Sequence, residues 1–146
     1  MATTLNLLLI TLGFIFTSRL IYAEIDIPTM MQEAESCRTK NNMTQEEYDA
    51  CFTLKIPSSP EGKCFLFCMM RFVTVVNEDG KLNIEGCKAM LAEAPASDED
   101  KKKMQDIPEL CDKEAEIKEG DPCESAYNIV MCMKKKAEEK GIQPPF

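Results

Sequence analysis

Residues 64–76 read CFLFCMMRFVTVV, a strongly apolar stretch with two cysteines four positions apart. Ser59 and Pro60 precede it, and this pair is typical of a helix start, with serine as the N-cap and proline in the first turn. In a helix, Cys64 and Cys68 share one face, but a rigid helix does not aim their sulfurs at each other with disulfide geometry. Each of them therefore needs a partner from another segment, and this helix is predicted to be tied to two others.

Five more helices are predicted from caps, turn residues and apolar spacing, and no segment favours a strand. The cleanest start is Asp121-Pro122-Cys123-Glu124, which combines an N-cap acid, a first-turn proline and a glutamate at the third position. We therefore expect an all-α fold, a compact bundle of about six helices stapled by disulfides around an apolar cavity. The predicted helices are residues 27–40, a short helix opened by Thr44 and running through Phe52, residues 60–76, a helix capped by Asn83 that stops near Pro95, a helix opened by Ser97 that Pro108 interrupts or kinks, and residues 122–140.

The first 23 residues, MATTLNLLLITLGFIFTSRLIYA, are predicted to be a secretory signal peptide. Their apolar run is too short for a membrane-spanning helix, which needs about 20 apolar residues. Polar residues follow the run, and the small Ala23 offers a cleavage point. No basic residue precedes the run, so a membrane anchor remains the alternative. The predicted organisation is a signal peptide at 1–23 and one helical domain at 24–146, in a secreted, extracellular protein.

Composition restricts the function classes that this chain can serve. It has eight cysteines, no histidine and a net charge of −8, which becomes −9 once Arg19 leaves with the signal. Nucleic acid and anionic membranes would be repelled by such a charge. Without histidine, and with no Asp/Glu pair that stands out, general acid–base catalysis has no evident groups, so an enzyme is not expected. The spacing of the cysteines does not suit zinc, and neither a metal nor a cofactor is expected.

The cysteine order resembles that of the insect odorant-binding and pheromone-binding proteins. The resemblance rests on Cys37, Cys64-x3-Cys68, Cys111 and Cys123-x8-Cys132, with 26 residues between the first two and 42 between Cys68 and Cys111. The start of the last helix and the Glu78-Asp79-Gly80 turn are also similar to that family. The resemblance implies three interlocked disulfides, Cys37–Cys68, Cys64–Cys123 and Cys111–Cys132.

Cys51 and Cys87 do not belong to that six-cysteine pattern. In an oxidising compartment a leftover pair favours one further disulfide, so a Cys51–Cys87 bond is predicted. Two buried free thiols, or a bond between two chains, are the alternatives.

Apolar residues at helical spacing are the candidate lining of a ligand pocket. For any one of them, ordinary core packing is the simpler explanation. The nine methionines that follow the predicted signal peptide favour a pocket, because their flexible side chains adapt to varied apolar shapes. Tyr127 is the candidate polar group. The resemblance implies that the chain end can fold over the pocket, which makes Phe146 a candidate wall, and a frayed tail is the alternative. The predicted ligand-binding residues are Phe65, Met69, Phe72, Val76, Met90, Leu91, Met104, Ile107, Tyr127, Val130 and Phe146.

The resemblance implies a secreted carrier that binds small hydrophobic molecules, such as odorants, pheromones or similar semiochemicals, in an internal apolar pocket. The implied partners are that small molecule and a membrane chemoreceptor, and the protein would be a monomer or a weak homodimer. The alternative is a salivary or other sequestering protein of the same fold that binds lipids or amines. Because there is no histidine to titrate, ligand affinity is expected to change little between about pH 7.5 and about pH 6.

Two surface features allow more than one interpretation. The lysine runs 101–103 and 134–136 have acids nearby, so solvated helix faces with internal ion pairs are favoured over a binding site. Asn42-Met43-Thr44 matches the acceptor pattern for N-glycosylation in a predicted loop, although Thr44 is also the predicted helix cap.

Overall fold

The computed structural model describes residues 26–53 and 55–142, and this part of the chain is helical. The chain divides into two units, Met1–Met31 and Gln32–Phe146. Of the first unit only Asp26–Met31 is described, and it contains the beginning of the first helix. The predicted signal peptide and the predicted pocket wall at Phe146 lie outside the described residues.

Seven helices are found within residues 26–53 and 55–142, joined by short turns, and the all-α prediction is confirmed. The helix α3 makes its most extensive contact with α7, and α6 also packs on α7. Among the described helices none is long and apolar enough to cross a membrane. The helices are α1 (Ile27–Lys40), α2 (Gln45–Cys51), α3 (Pro60–Phe72), α4 (Ile84–Glu93), α5 (Asp98–Met104), α6 (Ile107–Glu114) and α7 (Pro122–Glu139).

The predicted helix starts are confirmed by side-chain caps. Thr44, Ser59, Asn83, Ser97 and Asp121 each accept a hydrogen bond from a backbone N–H in the first turn of the helix that follows. Such caps satisfy donors that have no partner inside the helix. The chain therefore begins five of its seven described helices with the polar residues that sequence reasoning selects.

Glu47 occupies the third position of the helix that Thr44 caps, but it does not complete a capping box with Thr44. The backbone N–H of Glu47 does donate to Thr44 Oγ1 over 3.2 Å. The Glu47 carboxylate, however, accepts from the backbone N–H of Ser59 over 3.2 Å and from its hydroxyl over 2.6 Å. It thus joins α2 to the start of α3 instead of closing back on its own helix.

The third helix ends earlier than predicted, at Phe72 rather than Val76. Thr74 adopts a left-handed backbone conformation with φ of 60°, which no α-helix can accommodate. Val75 and Val76 then turn inward and are almost fully buried, and Val76 forms an isolated antiparallel bridge with Leu82. The β-branched run 73–76 therefore leaves the helix through a turn at residues 73–74 and buries Val75 and Val76 in the core.

Pro108 divides the predicted fifth helix into two, as the sequence suggested. The first piece, α5, ends at Met104, and α6 begins at Ile107 with Pro108 in its first turn. Proline is tolerated there because the first N–H groups of a helix have no partner within it.

Three disulfides connect the helices, and all three pairings implied by the resemblance are confirmed. Their Cα atoms lie 4.5–5.8 Å apart, within the range that disulfides require. Cys64 and Cys68 have separate partners, as expected for two cysteines on one rigid helix: Cys64 bonds to α7 and Cys68 bonds to α1. The bonds are Cys37–Cys68 between α1 and α3, Cys64–Cys123 between α3 and α7, and Cys111–Cys132 between α6 and α7.

The buried side chains form three clusters, numbered here in chain order. The first contains Cys37, Met43, Tyr48 and Phe65. The second contains Met70, Val75, Val76, Cys87, Ala126 and Ile129. The third contains Met104, Ile107, Cys111 and Ile142.

The predicted Cys51–Cys87 disulfide is wrong, because both residues are free thiols. Cys51 packs against the first cluster, whereas Cys87 is fully buried in the second. The thiol of Cys51 lies 3.5 Å from the carbonyl oxygen of Glu47, one turn back on its own helix. The two cysteines are thus in separate parts of the core.

Candidate functional site

The predicted ligand-binding residues are distributed over the three clusters. Phe65 is in the first cluster and Met69 packs against it. Phe72 is partly buried and Met90 is 40% exposed. The remaining predicted residues with apolar side chains adjoin the second or the third cluster: Val76, Leu91, Met104, Ile107 and Val130.

Three residues connect the second cluster to the third. Leu82, Leu91 and Met133 pack against both clusters and are themselves only partly buried. We call these three residues the seam. They come from the turn before α4, from α4 and from α7, so the seam joins side chains that are far apart in the sequence.

The disulfide Cys111–Cys132 borders the seam. Cys111 is a member of the third cluster, and Cys132 packs against it from the position next to Met133. A covalent bond between α6 and α7 restrains how far the two helices can separate or close. Apolar side chains held in this way can remain partly uncovered without collapse of the surrounding helices.

Tyr127, the candidate polar group, contacts a cation. The ammonium nitrogen of Lys63 lies 4.5 Å from the centroid of the Tyr127 ring and 2.6 Å from Oε2 of Glu124. An ammonium group over an aromatic face is attracted by the ring's quadrupole. The three side chains reinforce the contact between α3 and α7 beside the Cys64–Cys123 bond.

A pocket of about 540 Å³ opens among α4, α5 and α6. Leu91 is the one predicted ligand-binding residue in the lining of this pocket. Because Leu91 is also a seam residue, it connects the pocket to the seam. Most of the lining is charged or amide-bearing, unlike the predicted apolar site. The lining residues are Lys88, Leu91, Ala92, Lys101, Gln105, Asp106 and Glu109.

Ion pairs neutralise the acids of this pocket. Lys88 forms an ion pair with Glu109 and lowers the pKa of that carboxyl below its ordinary value of 4.5. Lys140 lies 2.9 Å from Asp106 and lowers the pKa of that carboxyl below its ordinary value of 3.8. Oε2 of Glu109 is buried and has no hydrogen-bond partner among the described residues, so it can accept from water or from a bound molecule.

One cluster of potential metal ligands lies within the described part of the chain, and its chemistry does not suit a metal. Glu33 approaches Cys37 and Cys68. The two sulfurs are bonded to each other, so neither is available as a thiolate ligand. The arrangement is a carboxylate beside a disulfide.

The lysine runs form the ion-paired surfaces that the sequence predicted. Lys103 lies 2.7 Å from Glu99, and Lys136 lies 2.7 Å from Glu114 of the neighbouring helix. Lys101 instead donates to the backbone carbonyl of Ala92 over 2.7 Å.

Sequence reasoning did not select two of the seam residues as ligand-binding candidates. Met133 belongs to the apolar spacing of α7, one turn beyond Val130, and that spacing could have identified it. Leu82 is a single apolar residue in a polar turn, and its position depends on the bridge to Val76. That bridge depends in turn on the left-handed conformation of Thr74, for which the sequence has no evident signal.

The chain is similar in sequence and in fold to known proteins. A family model described as the PBP/GOBP family matches residues 24–136. General odorant-binding protein 19d of Drosophila melanogaster is 25% identical over 129 residues, which are 87% of this chain and 84% of that protein.

Solved structures show the same fold. Odorant-binding protein 28a from Drosophila melanogaster has a TM-score of 0.65 and 24% identity, over 78% of this chain and 93% of that one. Odorant-binding protein 7 from Anopheles gambiae, solved with four disulfide bridges in complex with an azo compound, has a TM-score of 0.55 and 22% identity, over 82% of this chain and 90% of that one.

Proposed function

Because this chain belongs to the PBP/GOBP family, we propose that it is a secreted carrier of small hydrophobic ligands. It takes up odorants, pheromones or similar semiochemicals in an internal apolar site and solubilises them for transport through an aqueous medium. Its cargo is a small apolar molecule, and no catalytic step is part of the function.

The seam is the observation that supports this function most directly. Leu82, Leu91 and Met133 contact both buried clusters and are themselves only partly buried, so part of their apolar surface remains exposed. Covering apolar surface with a ligand gains about 25 cal/mol for each Å² removed from water. A molecule that reached the seam would also adjoin Val130, which packs against the second cluster. Methionine at the centre of such a site adapts to ligands of different shape.

The relatives support the same ligand class. The curated relative is named an odorant-binding protein, and the structural neighbour from Anopheles gambiae was solved with an azo compound. The predicted residues near the seam are Val76, Leu91, Met104, Ile107 and Val130, and we propose these, with Leu82 and Met133, as the ligand-binding set.

Secretion is part of the proposal. Three disulfides need an oxidising compartment to form and persist, and the first 23 residues have the order of a signal peptide. The proposed mature protein is therefore the helical domain that follows residue 23.

The alternative function is a sequestering protein that binds lipids or amines, and the ion pairs of the charged pocket favour the apolar carrier over the binding of amines. An amine needs a carboxylate that is free to pair with it. Asp106 already pairs with Lys140 and Glu109 with Lys88, so an amine would compete with a lysine for the charge of either carboxylate, even at the unpartnered Oε2 of Glu109. The apolar carrier involves no such competition.

Fluorescence titration with N-phenyl-1-naphthylamine, an apolar probe, tests the function. We expect saturable binding with one probe per chain, and displacement by long-chain alcohols and esters but not by protonated amines. Displacement by the amines alone would establish the alternative, and absence of saturable probe binding would refute the carrier function.

A further inference from the structure

We propose that Asn42 is the attachment site of an N-linked glycan. Asn42-Met43-Thr44 has the acceptor pattern in which the asparagine is modified and the threonine is required two positions later. Such a site must be exposed in a secreted protein, and it must tolerate a bulky hydrophilic group. The turn between α1 and α2 meets both conditions.

The turn directs adjacent side chains in opposite directions. Met43 is 2% exposed and belongs to the first cluster, whereas Asn42 is exposed. The Asn42 side chain takes part in no hydrogen bond with the residues that the structure describes, so its amide nitrogen is available. A glycan on Asn42 would extend into solvent while Met43 stays in the core.

The backbone of the turn is held independently of that side chain. Asn42 has φ of 55°, a left-handed conformation that asparagine tolerates better than most residues. The backbone N–H of Asn42 donates to Thr39 O over 3.2 Å, and that of Met43 donates to Arg38 O over 3.1 Å. Arg38 Nη1 donates to Met43 O over 3.2 Å. Modification of the side-chain amide leaves all three bonds in place.

Thr44 can serve both as part of the acceptor sequence and as a helix cap. In the folded chain its Oγ1 accepts from the backbone N–H of Glu47. The glycan bond is made at a different atom, Nδ2 of Asn42. Chains emerge from the ribosome N-terminus first. Asn42 therefore emerges 26 residues before Cys68, and it can be modified before the Cys37–Cys68 bond closes the first cluster.

The transfer needs a lipid-linked oligosaccharyl diphosphate as donor. The bond between the sugar's anomeric carbon and the diphosphate oxygen breaks, and a bond from that carbon to Nδ2 of Asn42 forms. Nδ2 loses one proton, and the lipid diphosphate leaves with the electron pair of the broken bond. No oxidant or reductant is involved.

The glycan is expected to leave ligand binding unchanged. Asn42 belongs to none of the three clusters, and the seam adjoins the second and third clusters only. The proposal rests on the secretion that is part of the proposed function, but not on ligand binding. An unmodified Asn42 in a secreted chain would therefore refute the glycan and leave the ligand-binding function standing, whereas a chain that is not secreted would count against both.

Three variants of the full-length chain isolate the modification from folding. Asn42→Asp removes the acceptor amide but keeps a residue that tolerates the left-handed turn. Thr44→Asp removes the acceptor sequence but keeps an oxygen that can cap α2, and Thr44→Ser keeps both functions. The wild type and each variant are expressed in insect cells. The mass of the secreted protein is measured by mass spectrometry before and after treatment with an amidase that releases N-linked glycans.

We expect the wild type and Thr44→Ser to lose the mass of a glycan on amidase treatment. Peptide mapping should then find Asp at position 42 in place of Asn. Asn42→Asp and Thr44→Asp should be secreted with the mass of the bare chain. A secreted wild type with an unmodified Asn42, or a chain that never enters the secretory pathway, would overturn the proposal.

Discussion

Cys51 and Cys87 carry free thiols in different core clusters, Cys51 at the edge of the first and Cys87 inside the second. The three disulfides of the chain leave these two cysteines in the reduced state. Burial, with a smaller contribution from the nearby charge of Glu109, raises the pKa of the Cys87 thiol to about 11. Burial also raises the pKa of the Cys51 thiol.

Alkylation in denaturant without reductant should therefore add two labels to each chain. In the native protein at neutral pH we expect Cys51 to react first and Cys87 to be protected, because only thiolates react and Cys87 is fully buried. Cys51→Ser should reduce the denatured count to one label. A wild-type chain that takes up no label would have a fourth disulfide, contrary to the structure.

Gly86 packs directly against the left-handed turn at Thr74. A Cβ atom at position 86 would overlap with the carbonyl oxygen of Thr74. Because that neighbour is backbone, it cannot rotate away, and α4 would have to shift. Gly86→Ala should lower the free energy of unfolding by about 1–3 kcal/mol, as measured by urea titration. In a helix with free space the same change would raise stability through helix propensity, so a gain would contradict the close approach.

The pH dependence of stability follows from the acids of the charged pocket. The folded-state pKa values of Asp106 and Glu109 are lowered by their lysine partners. A lowered folded-state pKa contributes stability that is present above the unfolded-state pKa and is lost as the pH falls through the folded-state pKa. Both groups thus stay ionised from about pH 7.5 to about pH 6, and the chain has no histidine that would titrate there.

Thermal unfolding midpoints and probe affinity should both be constant over that interval. The midpoint should fall only once the pH drops below the ordinary glutamate value of 4.5. A steep loss of affinity between about pH 7.5 and about pH 6 would show that a group with a pKa in that range controls the site.

Much of the fold could be predicted from the sequence because the helix caps are local. Ser59, Asn83 and Asp121 act within one turn of their own positions, so a short window is sufficient. The end of α3 could not be predicted in this way. Residues 73–76 continue the apolar pattern apart from Thr74, and only the burial of Val75 and Val76 in the second cluster favours a turn there over continuation of the helix.

The candidate site could be predicted only in part, for the same physical reason. Helical spacing identified Leu91 and Val130, whose positions follow from their own helices. The position of Leu82 depends on its β-bridge with Val76, and helical spacing cannot predict such a bridge. The Cys51–Cys87 prediction assumed that leftover cysteines in an oxidising compartment pair with each other, and the separation of their clusters shows why they do not.

The central claim, that an apolar ligand is held at the seam, is tested most directly by comparing two methionines of α7. Met133 packs against the second and third clusters, whereas Met131, on the same helix, is 39% exposed. Each is replaced by alanine, and binding of N-phenyl-1-naphthylamine is measured by fluorescence titration after circular dichroism has shown both variants to be folded. Met133→Ala should bind the probe about tenfold more weakly than the wild type, which corresponds to about 1.4 kcal/mol, because it loses apolar contact with the ligand. Met131→Ala should bind the probe as the wild type does. Equal affinities for the two variants would contradict a ligand site at the seam.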